Sequence, residues 1–518
     1  MWRTGLGMSP RWKWAGWVVV CVLFVTGCGG ELAPPKTPAR GGPPWYEIVT
    51  AHFVIRTDMD EAKARWTAQE FERVYADLVA AAFPPDPRMA RLPIIVLRDE
   101  REFLTYWPQK LGFYMDRLPG DIERDPMVVL AGAEYQMNDP YVLESLVHEL
   151  THRFVHFTFG PVPTWLDEGL ASYFSTMRFE GDELFLGDVP RGYTVAAEIM
   201  PTVAQLRAAD RATFYASGVR NPDERSRIVN LYYHAAWALV HFLSNGPDER
   251  RAQFRRFLVA MKQGDSAAAA WSRVFGATSE EELQAEFAAY QRATSWDRIV
   301  YRRHGGTTAT IEGMHPLASV DIDLLWVRLF GGREDRRTLT DALIADAVAL
   351  DPQSTDVAYV RGCIALVRDR PEEAIARFDE ALANEPANPR FLFGVARSGV
   401  AVWRKTRDGK VLGRVIDVFR RLAATATTPD ELAAAAEQLA VNHRPDDAIR
   451  LADRAVSLDP TSYIAHASRA VVHFYAGRAA AAVADQTRAI ALVPESVDPK
   501  YLLAALARYR AALAKGTR

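Results

Sequence analysis

The sequence predicts an α+β domain, built from a small sheet plus helices, followed by an all-α solenoid of helical repeats. Two observations predict this division. Short segments rich in β-branched and aromatic residues alternate with helical segments only in the N-terminal part of the chain. In the C-terminal third, a residue pair ending in proline recurs at a spacing of 34 residues, which is typical of stacked helical hairpins. A chain of 518 residues is also too long for a single core.

The chain begins with a leader that is typical of a secreted protein. Arg3, Arg11 and Lys13 flank or precede an apolar stretch, 14–25, that is too short to span a membrane. Residues 28–44 are rich in Pro and Gly, and we expect them to form an extended tether. A signal cut near Gly30, or an uncleaved anchor, is the alternative.

The leader ends in Val25-Thr26-Gly27-Cys28, which resembles the lipobox of bacterial lipoproteins. This resemblance implies a signal peptide at 1–27, a lipid on Cys28 and a membrane-anchored location in the bacterial cell envelope, in the outer membrane, periplasm or cell surface. The remaining cysteines are Cys21, inside the leader, and Cys363. A mature chain would therefore have no internal disulfide and no cysteine-based zinc site.

The first folded domain is predicted at 45–295. Segment 45–57 predicts a pair of strands, and a helix follows from about 60 to 82. Segments 92–97 and 127–130 predict two more strands, and the chain is mostly helical from about 173 to 293. Residues 296–317 are interpreted as a linker to the repeats.

The motif with the clearest chemistry is His148-Glu149-Leu150-Thr151-His152, within an apolar segment that is typical of a helix. Residues four apart share one face of a helix, so His148 and His152 can bind one metal ion with Glu149 beside it. This is the arrangement in which a carboxylate base activates a water on a zinc ion. The sequence therefore predicts one catalytic Zn²⁺.

Catalytic zinc needs a third protein ligand, and Glu168 is the candidate. Gly160, Pro161 and Pro163 are expected to end the first helix and turn the chain, so that a second helix from about Thr164 brings Glu168 back to the metal. The alternative is that the acidic pair 167–168 only stabilises the start of a helix through its dipole.

These two segments, HELTH and WLDEGLASYF, resemble the gluzincin metallopeptidases of the peptidase MA clan. The resemblance implies a zincin-like fold and ligation by His148, His152 and Glu168, although Asp167 stands where the zinc aminopeptidases have Asn. A metzincin would need Gly and His where this chain has Val155 and Thr158. A row of histidines at i, i+4 and i+8 cannot close on one ion, so His156 is expected to be a surface or core histidine.

Segment 231–243 is similar to the aminopeptidase helix that carries a catalytic tyrosine. The resemblance implies that Tyr233 donates a hydrogen bond to the oxyanion of the tetrahedral intermediate. Tyr232 or His234 could take that role instead, or the tyrosines could simply pack a core helix. In the predicted reaction Glu149 takes a proton from water and passes it to the leaving amine.

Residues 318–518 resemble tetratricopeptide repeats. Asp351-Pro352 recurs as Glu385-Pro386, and Asp459-Pro460 as Val493-Pro494. The interval between the prolines at 386 and 460 is longer and irregular, a diverged first copy spans about 318–351, and 499–514 is expected to be a capping helix. Stacked repeats leave a concave surface, so a protein partner or substrate is expected to bind there.

Composition excludes one class of partner and leaves two functions open. The net charge of −3 and the pI near 6.4 do not suggest nucleic acid. The first hypothesis is zinc-dependent peptide hydrolysis by a lipid-anchored envelope protein whose repeats recruit a partner or substrate. The second is a non-catalytic envelope scaffold that acts through its repeats. Hydrolysis of cell-wall amides is a weaker enzymatic alternative.

Overall fold

The structure is a computed structural model that describes residues 32–516, except for 84–88, 109–111, 116–117, 119, 122–125, 133–139, 181–182, 191–192, 194–199, 293–295, 303–309, 442–444 and 494–498. The predicted leader and Cys28 lie outside the described residues. Among the residues that are described, none of the helices combines the length and apolarity required to cross a bilayer.

Two sheets are present in the described part of the chain. The larger has the strand order β4-β5-β3-β2-β1-β9, in which β2, β3 and β5 are parallel and β1, β4 and β9 are antiparallel to their neighbours. The smaller is antiparallel, with the order β6-β7-β8. The strands are β1 (Tyr46–Val49), β2 (Phe53–Thr57), β3 (Leu92–Leu97), β4 (Gly112–Met115), β5 (Met127–Ala131), β6 (Arg178–Glu180), β7 (Glu183–Leu186), β8 (Ile299–Arg302) and β9 (Gly313–Pro316).

The helices fall into two groups along the chain. Those around the sheets are α1 (Glu61–Ala81), α2 (Glu100–Tyr106), α3 (Pro140–Phe159), α4 (Thr164–Ser175), α5 (Val203–Ala208), α6 (Arg211–Phe214), α7 (Pro222–Asn245), α8 (Asp248–Lys262), α9 (Ala267–Phe275) and α10 (Glu280–Gln291). Those of the C-terminal array are α11 (Ser319–Phe330), α12 (Arg337–Leu350), α13 (Thr355–Val367), α14 (Pro371–Asn384), α15 (Pro389–Thr406), α16 (Gly409–Thr425), α17 (Pro429–Val441), α18 (Pro445–Leu458), α19 (Tyr463–Tyr475), α20 (Ala479–Leu492) and α21 (Lys500–Gly516).

The larger sheet is covered on both faces, which explains why its central strands are apolar without alternation. Ile94 and Val96 of β3 belong to a core formed with α1, α3, α4 and α7. Ile95 and Leu97 point to the opposite face, because successive side chains of a strand alternate. There they share a second core with Trp326 of α11 and with the repeats that follow. The array therefore packs directly on the back of the sheet.

The C-terminal array is all-α and consists of consecutive helix pairs, as the sequence predicts. The diverged first copy is the pair α11 and α12, and the capping helix is α21. The irregular interval between the prolines at 386 and 460 has a simple origin. It contains two pairs, the first of which has the long helices α15, of 18 residues, and α16, of 17 residues.

Two connecting segments differ from the sequence expectation. The predicted linker 296–317 contains β8 and β9, which complete the two sheets. The predicted tether is not an extended spacer in its described part: Tyr106 donates a hydrogen bond to the Ala33 carbonyl at 3.0 Å, and Arg40 forms an ion pair with the fully buried Asp323. In both contacts the partner is far from the segment in sequence, so the composition of the segment alone cannot predict it.

Candidate metal centre

The two motif helices are joined by a four-residue turn that brings them together. Gly160 has a positive φ of 76° and its N–H donates to the His156 carbonyl at 2.9 Å, which ends α3 in a left-handed residue. Pro163 then precedes the first residue of α4, Thr164. This is the turn that the sequence indicates, and it places α4 across the histidine face of α3.

The turn brings His148, His152 and Glu168 into one cluster. The Glu168 Oε2 atom lies 3.2 Å from His148 Nε2 and 3.6 Å from His152 Nε2. Bonds of about 2.0–2.2 Å at tetrahedral angles would separate two zinc ligands by roughly 3.3–3.6 Å, so the spacing suits zinc. Glu168 is 4% exposed, and its Oε2 is buried without a hydrogen-bond partner. A buried carboxylate oxygen that faces two imidazole nitrogens is a donor set that fits a divalent cation.

Glu149 lies beside this cluster, at the edge of the larger sheet. It is buried, at 8% exposure, one residue along α3 from His148. Strand β4 is the edge strand, and a Cβ built on its Gly112 would lie 3.6 Å from Glu149 Cγ. The side chain of Glu149 therefore lies beside the edge strand β4, at a residue without a side chain of its own.

Asp167 makes two contacts that the sequence expectation missed. One carboxylate oxygen lies 2.7 Å from His152 Nδ1, and the other lies 2.9 Å from His156 Nε2. His156, expected to be a surface or core histidine, is a part-buried residue of α3 that contacts the same acidic residue as the candidate ligand His152. The four-residue spacing indicates that the three histidines share one face of α3. It does not indicate that two adjacent acids of α4 pack against that face.

Electrostatics couples these groups tightly. Burial alone would lower the pKa of the His152 imidazole, but the carboxylates of Asp167 and Glu168 outweigh it and raise that pKa to about 10. Burial favours the neutral acids, yet the neighbouring imidazoles lower the pKa of Glu168 to about 2 and hold that of Asp167 well below its usual range. The imidazole of His152 and the carboxylates of Asp167 and Glu168 thus stabilise one another's charged forms within the buried cluster.

Two tyrosines reach the centre, of which the sequence identifies one. Tyr215, which follows the short helix α6, donates a hydrogen bond to Glu168 Oε1. Its hydroxyl oxygen in turn is hydrogen-bonded to Tyr233, whose ring lies 6.3 Å from that of His148. Burial and the Glu168 carboxylate raise the pKa of both phenols, so both remain protonated donors.

The two alternatives to Tyr233 face other neighbours. The Tyr232 ring packs at 5.3 Å from Phe214, and the His234 ring packs at 5.0 Å from Tyr193. Tyr215 lies in a segment with no motif, and neither periodicity nor spacing could have identified it. Only the position of α6 next to α4 and α7 brings it to Glu168.

Comparison with known proteins adds a likeness to helical-repeat structures. No family model matches the chain, and no curated protein is similar to it. Similar solved structures include a thermophilic TPR protein of Thermus thermophilus, at 17% identity and a TM-score of 0.29, covering 38% of this chain and 97% of that one. PilW, a widely conserved type IV pilus biogenesis factor, is 19% identical at a TM-score of 0.31, and the match covers 38% of this chain and 87% of PilW. YrrB, a TPR protein with an unusual peptide-binding site, is 17% identical at a TM-score of 0.27, and the match covers 33% of this chain and 86% of YrrB.

Proposed function

We propose that this protein is a zinc-dependent peptidase whose helical repeats bind a protein partner or substrate. The single observation that carries the proposal is the buried, unpartnered Oε2 of Glu168, 3.2 Å and 3.6 Å from the Nε2 atoms of His148 and His152. A set of two histidines and one glutamate leaves an open fourth position on zinc, which is the composition of a hydrolytic site rather than a structural one.

In this proposal each group of the chain has one task. A zinc ion bound by His148, His152 and Glu168 supplies a Lewis acid for the scissile carbonyl and lowers the pKa of water. Glu149 takes the proton of the attacking water on its carboxylate and delivers it to the leaving amine. Tyr233 donates its phenol proton in a hydrogen bond to the negative charge that develops on the carbonyl oxygen.

The position of β4 supports a peptide as the substrate. It is the edge strand of the larger sheet and lies beside Glu149. An edge strand can be extended by strand addition, and an extended peptide added beside β4 would have a peptide bond near Glu149. Amides of the cell wall, which lack an extended peptide backbone on both sides, use this edge less well.

The first test compares the full-length protein, purified in detergent, with Glu149→Gln. We expect about one zinc per chain in both, because Glu149 is not a ligand. We expect hydrolysis of a peptide library by the wild type and a loss of at least about 10³-fold in kcat for the variant, since the proton acceptor is removed. Absence of zinc from the folded wild type would contradict the site assignment.

A second candidate function is an interaction scaffold that acts through its repeats. The long array of helices from α11 to α21 favours it, because stacked helical repeats present an extended surface to a partner. Zinc bound by the wild type without cleavage of any library peptide would support this function over hydrolysis. A lipid anchor at Cys28 suits either function, and loss of radiolabelled fatty acid from Cys28→Ala would test it.

A further inference from the structure

The histidines of α3 and the acids of α4 alternate in space, although in sequence all three histidines precede both acids. Glu168 lies between His148 and His152, whereas Asp167, one residue earlier, lies between His152 and His156. The middle histidine is shared: its Nε2 faces Glu168 and its Nδ1 faces Asp167. Three histidines at this spacing cannot all bind one ion. The first two face the proposed ligand Glu168, and the last two face Asp167.

We propose that His156 is a positioning residue of the metal centre, which holds Asp167 so that Asp167 fixes the ring of His152 with Nε2 toward the metal. This inference rests on the zinc site proposed above. It assigns a function to a histidine and an acid outside the ligand set, and neither residue is proposed to touch the substrate.

The need for a second anchor on Asp167 follows from geometry. An aspartate that is held at one oxygen can still rotate about its terminal torsion, which is broad in energy. Asp167 is held at both oxygens, by rings on consecutive turns of one helix, and is 9% exposed. The His156 ring is in turn packed edge-on against Tyr114 of β4, with ring centres 5.7 Å apart. Without His156, one buried carboxylate oxygen would lose a charge-assisted hydrogen bond.

A second metal ion among the same residues is the competing interpretation, and the distances disfavour it. The ligand atoms of His152, His156 and Asp167 also lie close together. However, the separations of 2.7 Å and 2.9 Å are those of direct hydrogen bonds and are shorter than the roughly 3.3–3.6 Å of two atoms on one zinc. Asp167 therefore bonds the two rings directly.

The experiment measures zinc affinity by chelator competition on the full-length protein in detergent, for wild type, His156→Phe and His156→Gln. Phe keeps a flat ring but has no donor, whereas the Gln amide can replace the Nε2 donor to Asp167. Outer partners of ligating histidines typically contribute 10–100-fold to metal affinity. We expect His156→Phe to weaken zinc binding by that factor and His156→Gln to stay within about threefold of wild type. His473→Phe is the matched control, because His473 is also a helix histidine near a carboxylate, 3.5 Å from Asp485, in the repeats.

Cobalt substitution separates positioning from a general loss of structure. We expect the visible absorption of the Co²⁺ form to shift in His156→Phe and to return in His156→Gln, while all three metal-free proteins still show a cooperative thermal unfolding transition. Equal zinc affinity and equal Co²⁺ spectra for wild type and His156→Phe would overturn the inference. A wild type that binds no zinc would instead refute the site itself, so the two failures are distinguishable.

Discussion

At the residue scale, the two tyrosines near Glu168 have different partners and therefore different expected effects. Tyr215 donates directly to the carboxylate of Glu168, the proposed ligand, while Tyr233 reaches that carboxylate only through Tyr215. A group that holds a ligand affects the ground state of the metal site. A group that donates only to developing charge affects the transition state.

This difference predicts a separation of zinc affinity from kcat. We expect Tyr215→Phe to weaken zinc binding by roughly tenfold, because Glu168 Oε1 loses its donor. We expect Tyr233→Phe to leave zinc affinity unchanged and to lower kcat by roughly 10²-fold or more if its phenol binds the oxyanion. Chelator competition and steady-state kinetics on both variants check this, and a normal kcat in Tyr233→Phe would show that Tyr233 does not bind the oxyanion.

His241 of α7 gives a prediction for acid stability. It is fully buried, with Nδ1 2.8 Å from the Tyr290 hydroxyl and Nε2 2.9 Å from the Gly187 carbonyl, and burial lowers its pKa to about 4. In the unfolded chain His241 has a pKa near 6.5, so between pH 6.5 and pH 4 it is protonated there but stays neutral in the folded protein. Stability from the neutral ring is therefore complete above pH 6.5 and is lost as the pH falls toward 4, by up to about 3 kcal/mol.

The measurement is chemical unfolding of wild type and His241→Gln at pH 7 and pH 4.5. We expect the variant to be less stable at pH 7 because it loses packing, but to lose less additional stability on acidification. His315→Gln is a suitable control, since His315 lies at the surface with 55% of its side chain exposed. Parallel acid curves for wild type and His241→Gln would contradict the assignment.

At the element scale, the crossing of α4 and α7 sets the distance between the ligand helix and the tyrosine helix. A Cβ on Gly169 would lie 2.7 Å from Val240 Cγ2 and 2.8 Å from the Ala236 carbonyl oxygen. The small residue three places after Tyr233 is therefore explained: Ala236 is where α7 approaches Gly169. Close approach of the two backbones keeps Tyr233 near Glu168.

Substitution of Gly169 by Ala is expected to force these helices apart. The added methyl meets a backbone carbonyl that cannot rotate away, so we expect a loss of about 1–3 kcal/mol in unfolding free energy, together with weaker zinc binding. Gly413→Ala is the control, because Gly413 lies within α16 with open space around it. There a helix-favouring Ala should stabilise by about 0.5–1 kcal/mol. Equal stability of the two variants would show that the crossing is loose.

The elements differ in how far sequence determines them. The turn at Gly160 and the start of α4 at Thr164 follow from local chemistry, and the repeat helices follow from their period. Strand β9 does not, because a four-residue strand has no pattern of its own and is selected by its partner β1. The docking of Arg40 does not either, because its partner Asp323 is far away in the sequence. The same limit applies to the site: spacing identifies residues on one helix, but Tyr215 and the second contact of Asp167 depend on how separate helices cross.

At the scale of the whole molecule, the repeats and the sheet-containing part are packed at two places. The first repeat pair covers the back of the larger sheet. The far end of the array returns to the turn between α3 and α4, where a Cβ on Gly160 would lie 2.7 Å from Leu492 Cδ2. Nearby, Arg488 donates to the Gly264 carbonyl at 2.7 Å. These contacts favour a single unfolding transition for the two parts.

The N-terminal segment contributes to the first of these places through Arg40. Its guanidinium bonds both oxygens of Asp323 on α11, at 2.5 Å and 3.1 Å, and also Asp346 at 3.0 Å. The side chain of Asp323 is fully buried, and burial raises its pKa even with Arg40 beside it. Removing Arg40 leaves a buried carboxylate without its cation, which typically costs about 3–5 kcal/mol.

We therefore expect Arg40→Ala to lower the unfolding free energy of the whole chain by about 3 kcal/mol or more at pH 7. The loss should shrink as the pH falls, because an isolated buried carboxylate is protonated more easily and then needs no partner. Arg65→Ala is the control: its exposed ion pair with Glu61 should contribute about 0.5 kcal/mol or less. Urea unfolding at pH 7 and pH 4.5, followed by tryptophan fluorescence, measures both effects. A loss for Arg40→Ala that matches Arg65→Ala at pH 7 would mean that the N-terminal segment rests on the array without stabilising it.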